Sequence, residues 1–166
     1  MVASTAMYME ASSGALDVDE RFMQLALSAA QQASREGEVP VGAVVVREGR
    51  IVGSAYNSPI GSHDPTAHAE VLALRMAALN AANYRLPGAT IYVTVEPCLM
   101  CVGAMLHARV QRVVFGCREP KLGALGSVYD AVGDYRGNHR VRVTAGVCAD
   151  EASALLRRFF QVRRGA

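Results

Sequence analysis

Four side chains in the middle of the sequence have the types and spacing of a metal-dependent hydrolytic site. His68 is followed two positions later by Glu70, and further along the chain Pro97 precedes the pair Cys98 and Cys101. One imidazole and two thiolates suit Zn²⁺ and leave the fourth position of a tetrahedral site open for water. Zinc bound there would lower the pKa of that water from about 15.7 to about 7. We expect Glu70 to transfer protons, since a carboxylate beside the ligands can act as general base and acid.

Two other interpretations of these residues do not require catalysis. A Cys-x-x-Cys pair also occurs in redox proteins of the thioredoxin type, but a proline directly before the first cysteine is not typical of them. A structural zinc site normally has a fourth protein ligand. The remaining cysteines and histidines, which form no second metal-binding pair, are Cys117, Cys148, His63, His107 and His139. The combination of both half-motifs favours a catalytic zinc site, and a structural zinc site is the main alternative.

The composition is that of one globular domain. The chain has 166 residues, of which 51% are hydrophobic and 19% are charged, so it can bury a substantial core. No apolar run is long enough to span a membrane, and residues 1–15 lack the basic start and apolar region of a secretory signal. We expect residues 1–15 to be a disordered tail and residues 16–166 to be a single catalytic domain. Four cysteines, two of them in the metal motif, indicate a reducing cytoplasm.

The net charge of +2 is unevenly distributed along the chain. Residues 1–100 carry six basic and ten acidic side chains, whereas residues 101–166 carry eleven basic and five acidic ones. A basic C-terminal third beside the metal motif indicates contact with phosphate groups. From charge alone, a solvated helix face is the alternative interpretation.

Helices and strands are predicted to alternate, which favours a mixed sheet with helices on its faces. Asp17 or Asp19 can cap the first helix and Gly37 can end it, while Thr66 can cap the helix that starts at His68. Both half-motifs then lie at helix starts, where the helix dipole favours thiolates. The other predicted elements are strands at 41–46, 51–56, 90–95, 111–115 and 141–144, a loop at 57–65, and helices at 98–108 and 150–163.

Beyond the two half-motifs, which together form the signature of zinc nucleobase deaminases, the sequence resembles the bacterial tRNA-specific adenosine deaminases over nearly its whole length. The segments that match this family include 38–43, 57–70, 96–104, 114–116, 121–127, 138–141 and 159–164. The resemblance implies a cytidine-deaminase-like three-layer α/β/α fold, with a mixed central sheet of about five strands and helices on both faces. It also implies one Zn²⁺ per subunit and a homodimer.

The activity that the resemblance implies is hydrolytic deamination of adenosine to inosine at the wobble position of a tRNA anticodon. Zinc would be held by His68, Cys98 and Cys101, and Glu70 would move a proton from water to the purine ring and then to the departing ammonia. One alternative is a deaminase of a free base or nucleotide, such as guanine or cytosine, which would not need the basic C-terminal helix. The other is a non-catalytic zinc-containing RNA-binding module, which would have no use for Glu70.

The resemblance further implies which residues contact the anticodon stem-loop. Asn57 matches the family's substrate-binding asparagine, although alone it would pass as a turn residue before Pro59. The segments 123–127 and 138–140 match family segments that approach the anticodon and the mouth of the active site. The C-terminal helix combines aromatic side chains with arginines suited to phosphate. The residues expected to bind substrate are Asn57, Ala69, Glu119, Lys121, Asn138, His139, Arg140, Phe159, Arg163 and Arg164.

This chain departs from the family at one point in that set. Family members usually carry Asp and then a small residue before the lysine, whereas this sequence has Glu119 and Pro120 before Lys121. The longer carboxylate and the rigid proline are expected to alter contacts with the substrate backbone and to leave the chemistry intact.

Overall fold

A five-stranded mixed sheet lies at the centre of the computed structural model, which describes residues 13–165. The strands are β1 (Gly42–Arg47), β2 (Arg50–Tyr56), β3 (Thr90–Val95), β4 (Arg112–Cys117) and β5 (Arg142–Ala145), in the order β2-β1-β3-β4-β5. β1 pairs antiparallel with β2 and β3, whereas β3, β4 and β5 are parallel to one another. The carboxyl ends of these three strands therefore meet at one edge of the sheet, which we call the carboxyl edge, and their amino ends meet at the opposite amino edge.

Helices cover both faces of the sheet, which confirms the predicted three-layer α/β/α fold. The helices are α1 (Ser13–Arg35), α2 (Pro59–Ser62), α3 (Ala69–Ala81), α4 (Leu99–His107) and α5 (Ala149–Arg164). α3 and α4 pack on one face and α1 and α5 on the other. Among residues 13–165, no helix is both long and apolar enough to cross a bilayer.

The central strands are apolar on both sides because both faces are covered. In β1, Ala43 and Val45 pack on the side of α3 and α4, while Val44 and Val46 pack on the side of α1. This alternation follows from the two-residue period of a strand. Gly42 begins β1 where α1 lies so close that a Cβ atom would be 2.0 Å from a backbone oxygen of the helix. Only glycine allows the helix and the strand to approach to this distance.

The first helix ends as predicted but begins earlier. Gly37 has a φ of +79°, and the next N–H group donates to the carbonyl of Ala33, a bond typical of a glycine-terminated helix. The helix starts at Ser13 rather than at an aspartate cap, so residues 13–15 are helical instead of belonging to a tail. The predicted disorder of residues 1–12 lies outside the described residues.

Asp19 is a buried partner of the sheet and not a helix cap. It accepts hydrogen bonds from Tyr92 Oη at 2.9 Å and from Arg112 Nη1 and Nη2 at 2.9 and 2.6 Å. An aspartate is tolerated inside this helix because the guanidinium group pairs with both of its oxygens. The contact joins α1 to β3 and β4 at the amino edge of the sheet.

Two local predictions before α3 are also wrong. Thr66 does not cap α3, because its hydroxyl donates to Asp64 Oδ1 at 2.7 Å, and His68 occupies the N-cap position instead. The predicted loop at 57–65 contains the short helix α2, which begins with Pro59. Proline suits a first helical position because its φ is already helical and it has no N–H group to leave unpaired.

Candidate active site

The predicted metal ligands lie together at the carboxyl edge, where α3 and α4 begin. His68 is the N-cap residue of α3, Cys98 is the N-cap residue of α4, and Cys101 lies in the first turn of α4. The prediction that each half-motif lies at a helix start is therefore confirmed. Backbone N–H groups without a partner in their own helix give the two helix starts, and thus the site, a positive potential. Such a potential favours the thiolate form of cysteine, which is the form that binds metal.

The three ligand atoms are spaced as a tetrahedral zinc site requires. His68 Nδ1 lies 3.6 Å from Cys98 Sγ and 3.5 Å from Cys101 Sγ, and the two sulfurs are 3.7 Å apart. With Zn–S bonds of about 2.3 Å and Zn–N bonds of about 2.0–2.1 Å, tetrahedral angles would separate the sulfurs by about 3.8 Å and each sulfur from the nitrogen by about 3.6 Å. The donor set therefore fits Zn²⁺. No fourth His, Cys, Asp or Glu joins the group within residues 13–165, so the arrangement is that of an open site.

One of the two thiols has the acidity that metal binding requires. The hydrogen bond between their sulfurs lowers the pKa of Cys98 to about 4 and raises the pKa of Cys101. One thiol of the pair therefore loses its proton well below neutral pH. Metal binding to this pair would displace the second proton as well, since zinc binds thiolates.

Glu70 is buried next to these ligands, in the first turn of α3. Its side chain is only 4% exposed, and Oε2 has no hydrogen-bond partner among the described residues. Burial raises the pKa of Glu70 to about 7. A carboxyl group with such a pKa can both accept and give a proton near neutral pH. An unpaired buried oxygen calls for an explanation, and a catalytic role in proton transfer provides one.

Asn57, which follows the end of β2, is joined to Ala69 by a hydrogen bond. The backbone N–H of Ala69 donates to Asn57 Oδ1 at 2.8 Å, and the backbone N–H of Asn57 donates to Val41 O at 3.0 Å. Because an N–H group can only donate, the side-chain oxygen of Asn57 must face Ala69, and a ligand would meet the amide nitrogen. The contact of either residue with substrate stays a prediction.

The 119–127 loop lies beside Cys98. Cys98 and Gly123 form an isolated antiparallel bridge, and the N–H of Ala124 donates to Pro97 O at 2.9 Å. Within the loop, the N–H of Lys121 donates to Glu119 Oε1 at 2.8 Å. These contacts place the loop at the active site, as expected for its segment 123–127. Substrate binding by Glu119 and Lys121 stays a prediction.

The loop at 138–140 does not reach the mouth of the active site in this chain, contrary to expectation. It directly precedes β5, whose first residue pairs with the first residue of β4 at the amino edge. A six-residue strand such as β4 spans about 17 Å, which separates this loop from the carboxyl edge. The contacts of the loop are Asn138 Oδ1 with Arg109 Nη1, His139 Nε2 with Val110 O, and Arg140 Nη1 with Tyr135 O. A role in substrate binding for Asn138, His139 and Arg140 is untested.

The C-terminal helix is attached to the rest of the chain through two of its predicted RNA-binding residues. Phe159 is buried, and the guanidinium carbon of Arg163 lies 4.8 Å from the centre of its ring. Arg163 Nη2 also donates to Gly37 O at 2.8 Å. Arg163 therefore holds α5 against the segment that joins α1 to β1, although its side chain is exposed, as is that of Arg164. Their contact with RNA stays a prediction.

Two buried carboxylates shape the surroundings of the site and were missed in the sequence. Glu38 accepts hydrogen bonds from the N–H groups of Ile60 and Gly61, at 3.3 and 2.7 Å, at the start of α2. Glu96 accepts hydrogen bonds from the 119–127 loop, and these bonds hold its pKa below the usual value although burial alone would raise it. The signal that the sequence offered is that each glutamate is the first residue of a segment that matches the family, 38–43 and 96–104, and stands within two residues of a proline.

Comparison with known proteins identifies the type of this site. A family model for the cytidine and deoxycytidylate deaminase zinc-binding region matches residues 16–117, which include both half-motifs. The tRNA-specific adenosine deaminase of Haemophilus influenzae is 50% identical over 157 residues, covering 94% of this chain and 91% of that protein. The tRNA-specific adenosine deaminase of Bacillus subtilis is 41% identical and covers 88% of this chain and 91% of its own length.

Solved structures give the same result for the fold. A structure from a study of A-to-I editing by tRNA:A34 deaminases at the wobble position of transfer RNA is 40% identical, with a TM-score of 0.79, and covers 82% of this chain and 99% of that chain. A guanine deaminase from Nitrosomonas europaea is 21% identical, with a TM-score of 0.70, and covers 96% of this chain and 98% of that chain. At that identity the second likeness shows a shared fold alone.

Proposed function

The chain belongs to the tRNA-specific adenosine deaminases within the zinc-dependent cytidine and deoxycytidylate deaminase family, and on that premise we propose that it converts adenosine to inosine at the wobble position of a tRNA anticodon. It is a zinc-dependent hydrolytic deaminase. The observation that carries the proposal is the open three-ligand zinc site next to the buried, unpaired Glu70. A non-catalytic zinc site would need neither the open position nor the carboxylate.

The residues of the site divide the chemistry between metal binding and proton transfer. Zn²⁺ held by His68, Cys98 and Cys101 supplies the Lewis acidity that makes a water molecule nucleophilic near neutral pH. Glu70 accepts one proton of that water at its free Oε2 and gives it to the ring nitrogen next to the carbon under attack. It then carries the second proton of the water to the departing amino group. Water and adenosine are thereby converted into inosine and ammonia.

Three groups outside the set of metal ligands are suited to bind the substrate. The base must leave its stack to reach the site, as nucleobase deaminases require. The amide nitrogen of Asn57 is then available to the base, because the side-chain oxygen is bonded to Ala69. Lys121 is exposed on the 119–127 loop and is suited to the phosphates of the flanking nucleotides. Arg164, exposed near the end of α5, is suited to the same role.

The proposal extends to the assembly and its location. The protein acts as a homodimer on the anticodon stem-loop, in the cytoplasm, where the substrate tRNA is found. Apolar side chains are exposed close to the ligand cysteines and can be covered by a second subunit. These residues are Leu99, Met100, Leu122 and Tyr129.

Incubation of the zinc-loaded protein with an anticodon stem-loop that carries a wobble adenosine tests the proposal. Mass spectrometry should detect inosine at that position and no conversion of an otherwise identical stem-loop with a wobble cytidine. Free adenosine, guanine and cytosine serve as competing substrates, and negligible turnover is expected for each, because binding energy from flanking nucleotides is used to align the base. Efficient turnover of a free base with no inosine in the stem-loop would identify a free-base deaminase. Binding of the stem-loop without any product would identify a non-catalytic module.

A further inference from the structure

A buried carboxylate directly before the cysteine motif organises the loop that faces the metal ligands. Glu96 is 3% exposed and receives four hydrogen bonds from the 119–127 loop. Its Oε1 accepts from the N–H groups of Leu125 and Ser127, both at 3.0 Å, and its Oε2 accepts from the N–H of Glu119 at 3.1 Å and from the hydroxyl of Ser127. Three of the four donors are backbone groups, so the carboxylate fixes the path of the loop and not only one side chain.

The chemistry of these donors requires a carboxylate at this position. A carboxylate offers two oxygens that only accept hydrogen bonds, and each of them serves two donors here. A glutamine would replace one oxygen by an NH₂ group. This group is itself a donor and cannot accept hydrogen bonds from the loop. The substitution then creates a repulsive contact and leaves a buried or partly buried N–H group unpaired, which is costly.

The 119–127 loop packs so closely against Glu96 that position 123 must be a glycine. A Cβ atom on Gly123 would lie 2.5 Å from Glu96 Cδ and 2.5 Å from Glu119 O. The other side of Gly123 pairs with Cys98. The loop is thus held between the carboxylate and a metal ligand, and it forms one wall of the active site.

We infer that Glu96 is a positioning residue for substrate recognition, which sets the 119–127 loop at the distance from Cys98 that the flanking nucleotides require. The inference rests on the proposed function, since it assigns the loop to RNA contact. Lys121 is exposed on the loop and is presented to the substrate. Glu96 itself touches neither the substrate nor the reacting atoms.

The test is Glu96→Gln in the zinc-loaded enzyme, measured with the wobble-adenosine stem-loop. We expect KM and the stem-loop Kd to rise about tenfold, the effect of roughly one lost hydrogen bond with an unpaired partner. The kcat value and the zinc content should stay close to those of the wild type. Hydrogen exchange should be faster at the amides of Glu119, Leu125 and Ser127, because they lose their acceptor. Glu151→Gln is the matched control, since Glu151 also accepts hydrogen bonds, from Gln24 on the far side of the sheet.

A second variant changes the loop side of the contact between Glu96 and the 119–127 loop. Gly123→Ala introduces the Cβ atom that would collide with Glu96 and Glu119, so it should give the same rise in KM and the same faster exchange. The two substitutions break one contact, so their effects in the double variant should be far from additive. Gly123→Ala also keeps the inference testable if Glu96→Gln fails to fold.

Three outcomes would overturn the inference. One is a stem-loop affinity in both variants that equals the wild-type value. Another is unchanged exchange at the three amides. The third is a loss of zinc and of kcat with KM unchanged, which would place Glu96 in support of the metal site. A wild-type enzyme that makes no inosine contradicts the proposed function instead, and the two failures are thereby distinguished.

Discussion

Glu70 combines burial with an unpaired carboxyl oxygen. It is buried, which raises its pKa to about 7, and one of its oxygens has no partner among residues 13–165. Its place in the first turn of α3 sets it beside His68 in the chain. A carboxyl oxygen without a structural hydrogen bond thus lies next to the metal ligands, as the proposed role in proton transfer requires. This is the arrangement that general acid–base catalysis needs.

Glu70→Gln should therefore remove turnover and leave binding intact. Glutamine has nearly the same shape but cannot accept the proton of water, so kcat should fall by about 10²- to 10⁴-fold. The stem-loop Kd and the content of about one zinc per chain should not change, because Glu70 is not a ligand. Single-turnover inosine formation is the measurement, and Glu20→Gln, an exposed carboxylate on α1, is the control. A rate close to that of the wild type would exclude Glu70 from the mechanism.

The three metal ligands and the position of Glu70 beside them could be predicted from the sequence, because they lie in two short motifs whose residue types have few other uses. The supporting contacts of the buried carboxylates Glu96 and Glu38 could not be predicted from the sequence. Glu96 bonds with residues 23, 29 and 31 positions away, and Glu38 bonds with residues 22 and 23 positions away. No periodicity in one sequence reports such pairings. Recognition of Asn57 came from family resemblance, but its bond to Ala69 appears only in the structure.

Strands and long helices were predictable because apolar residues recur with the period of each element. The predictions failed for segments whose structure depends on contacts with residues far away in the sequence. Ser58, the N-cap residue of α2, makes no side-chain cap bond, and Glu38 from another segment accepts the free N–H groups instead. The loop at 138–140 was misplaced because its position depends on the pairing of β5 with β4.

The Asp19 contact makes a testable contribution to the packing of α1. Asp19→Asn should lower the free energy of unfolding by about 3 kcal/mol, because it leaves the partly buried guanidinium of Arg112 without a counter-charge. For a domain of this size, that corresponds to a fall in Tm of about 6–12 °C. Zinc content and kcat should be unchanged, since the contact lies at the amino edge. Thermal unfolding is the measurement, and Asp17→Asn, an exposed change on the same helix, is the control. Equal Tm values for the two variants would contradict the assignment.

The basic C-terminal third of the molecule is divided between the two edges of the sheet. One group of arginines lies at the amino edge, in and around the 138–140 loop and β5. The other group lies on α5, and Arg163 of this group donates to Gly37 O. Glu38, the residue after Gly37, accepts a hydrogen bond from the start of α2, and the chain continues from α2 to His68. The end of α5 is therefore linked by contacts to the active-site side, and this link supports the proposal that its arginines meet RNA.

The arginines of α5 should differ in what they contribute. Arg158, Arg163 and Arg164 are all exposed, but Arg163 is also held by contacts with Phe159 and Gly37. We expect the double variant Arg158→Gln with Arg164→Gln to weaken stem-loop binding. It should also make the slope of log K against log salt shallower, by about 0.7 for each single-strand phosphate contact that is lost.

Arg163→Gln is the matched comparison, because it removes the same charge from the same helix. It should mainly lower the protection of α5 in hydrogen exchange, since it releases the helix from the α1–β1 segment. Zinc content should be that of the wild type in both variants, as neither changes a ligand. If the double variant bound the stem-loop with the wild-type salt slope, α5 would be a solvated helix face, and the phosphate contacts would have to lie elsewhere on the molecule.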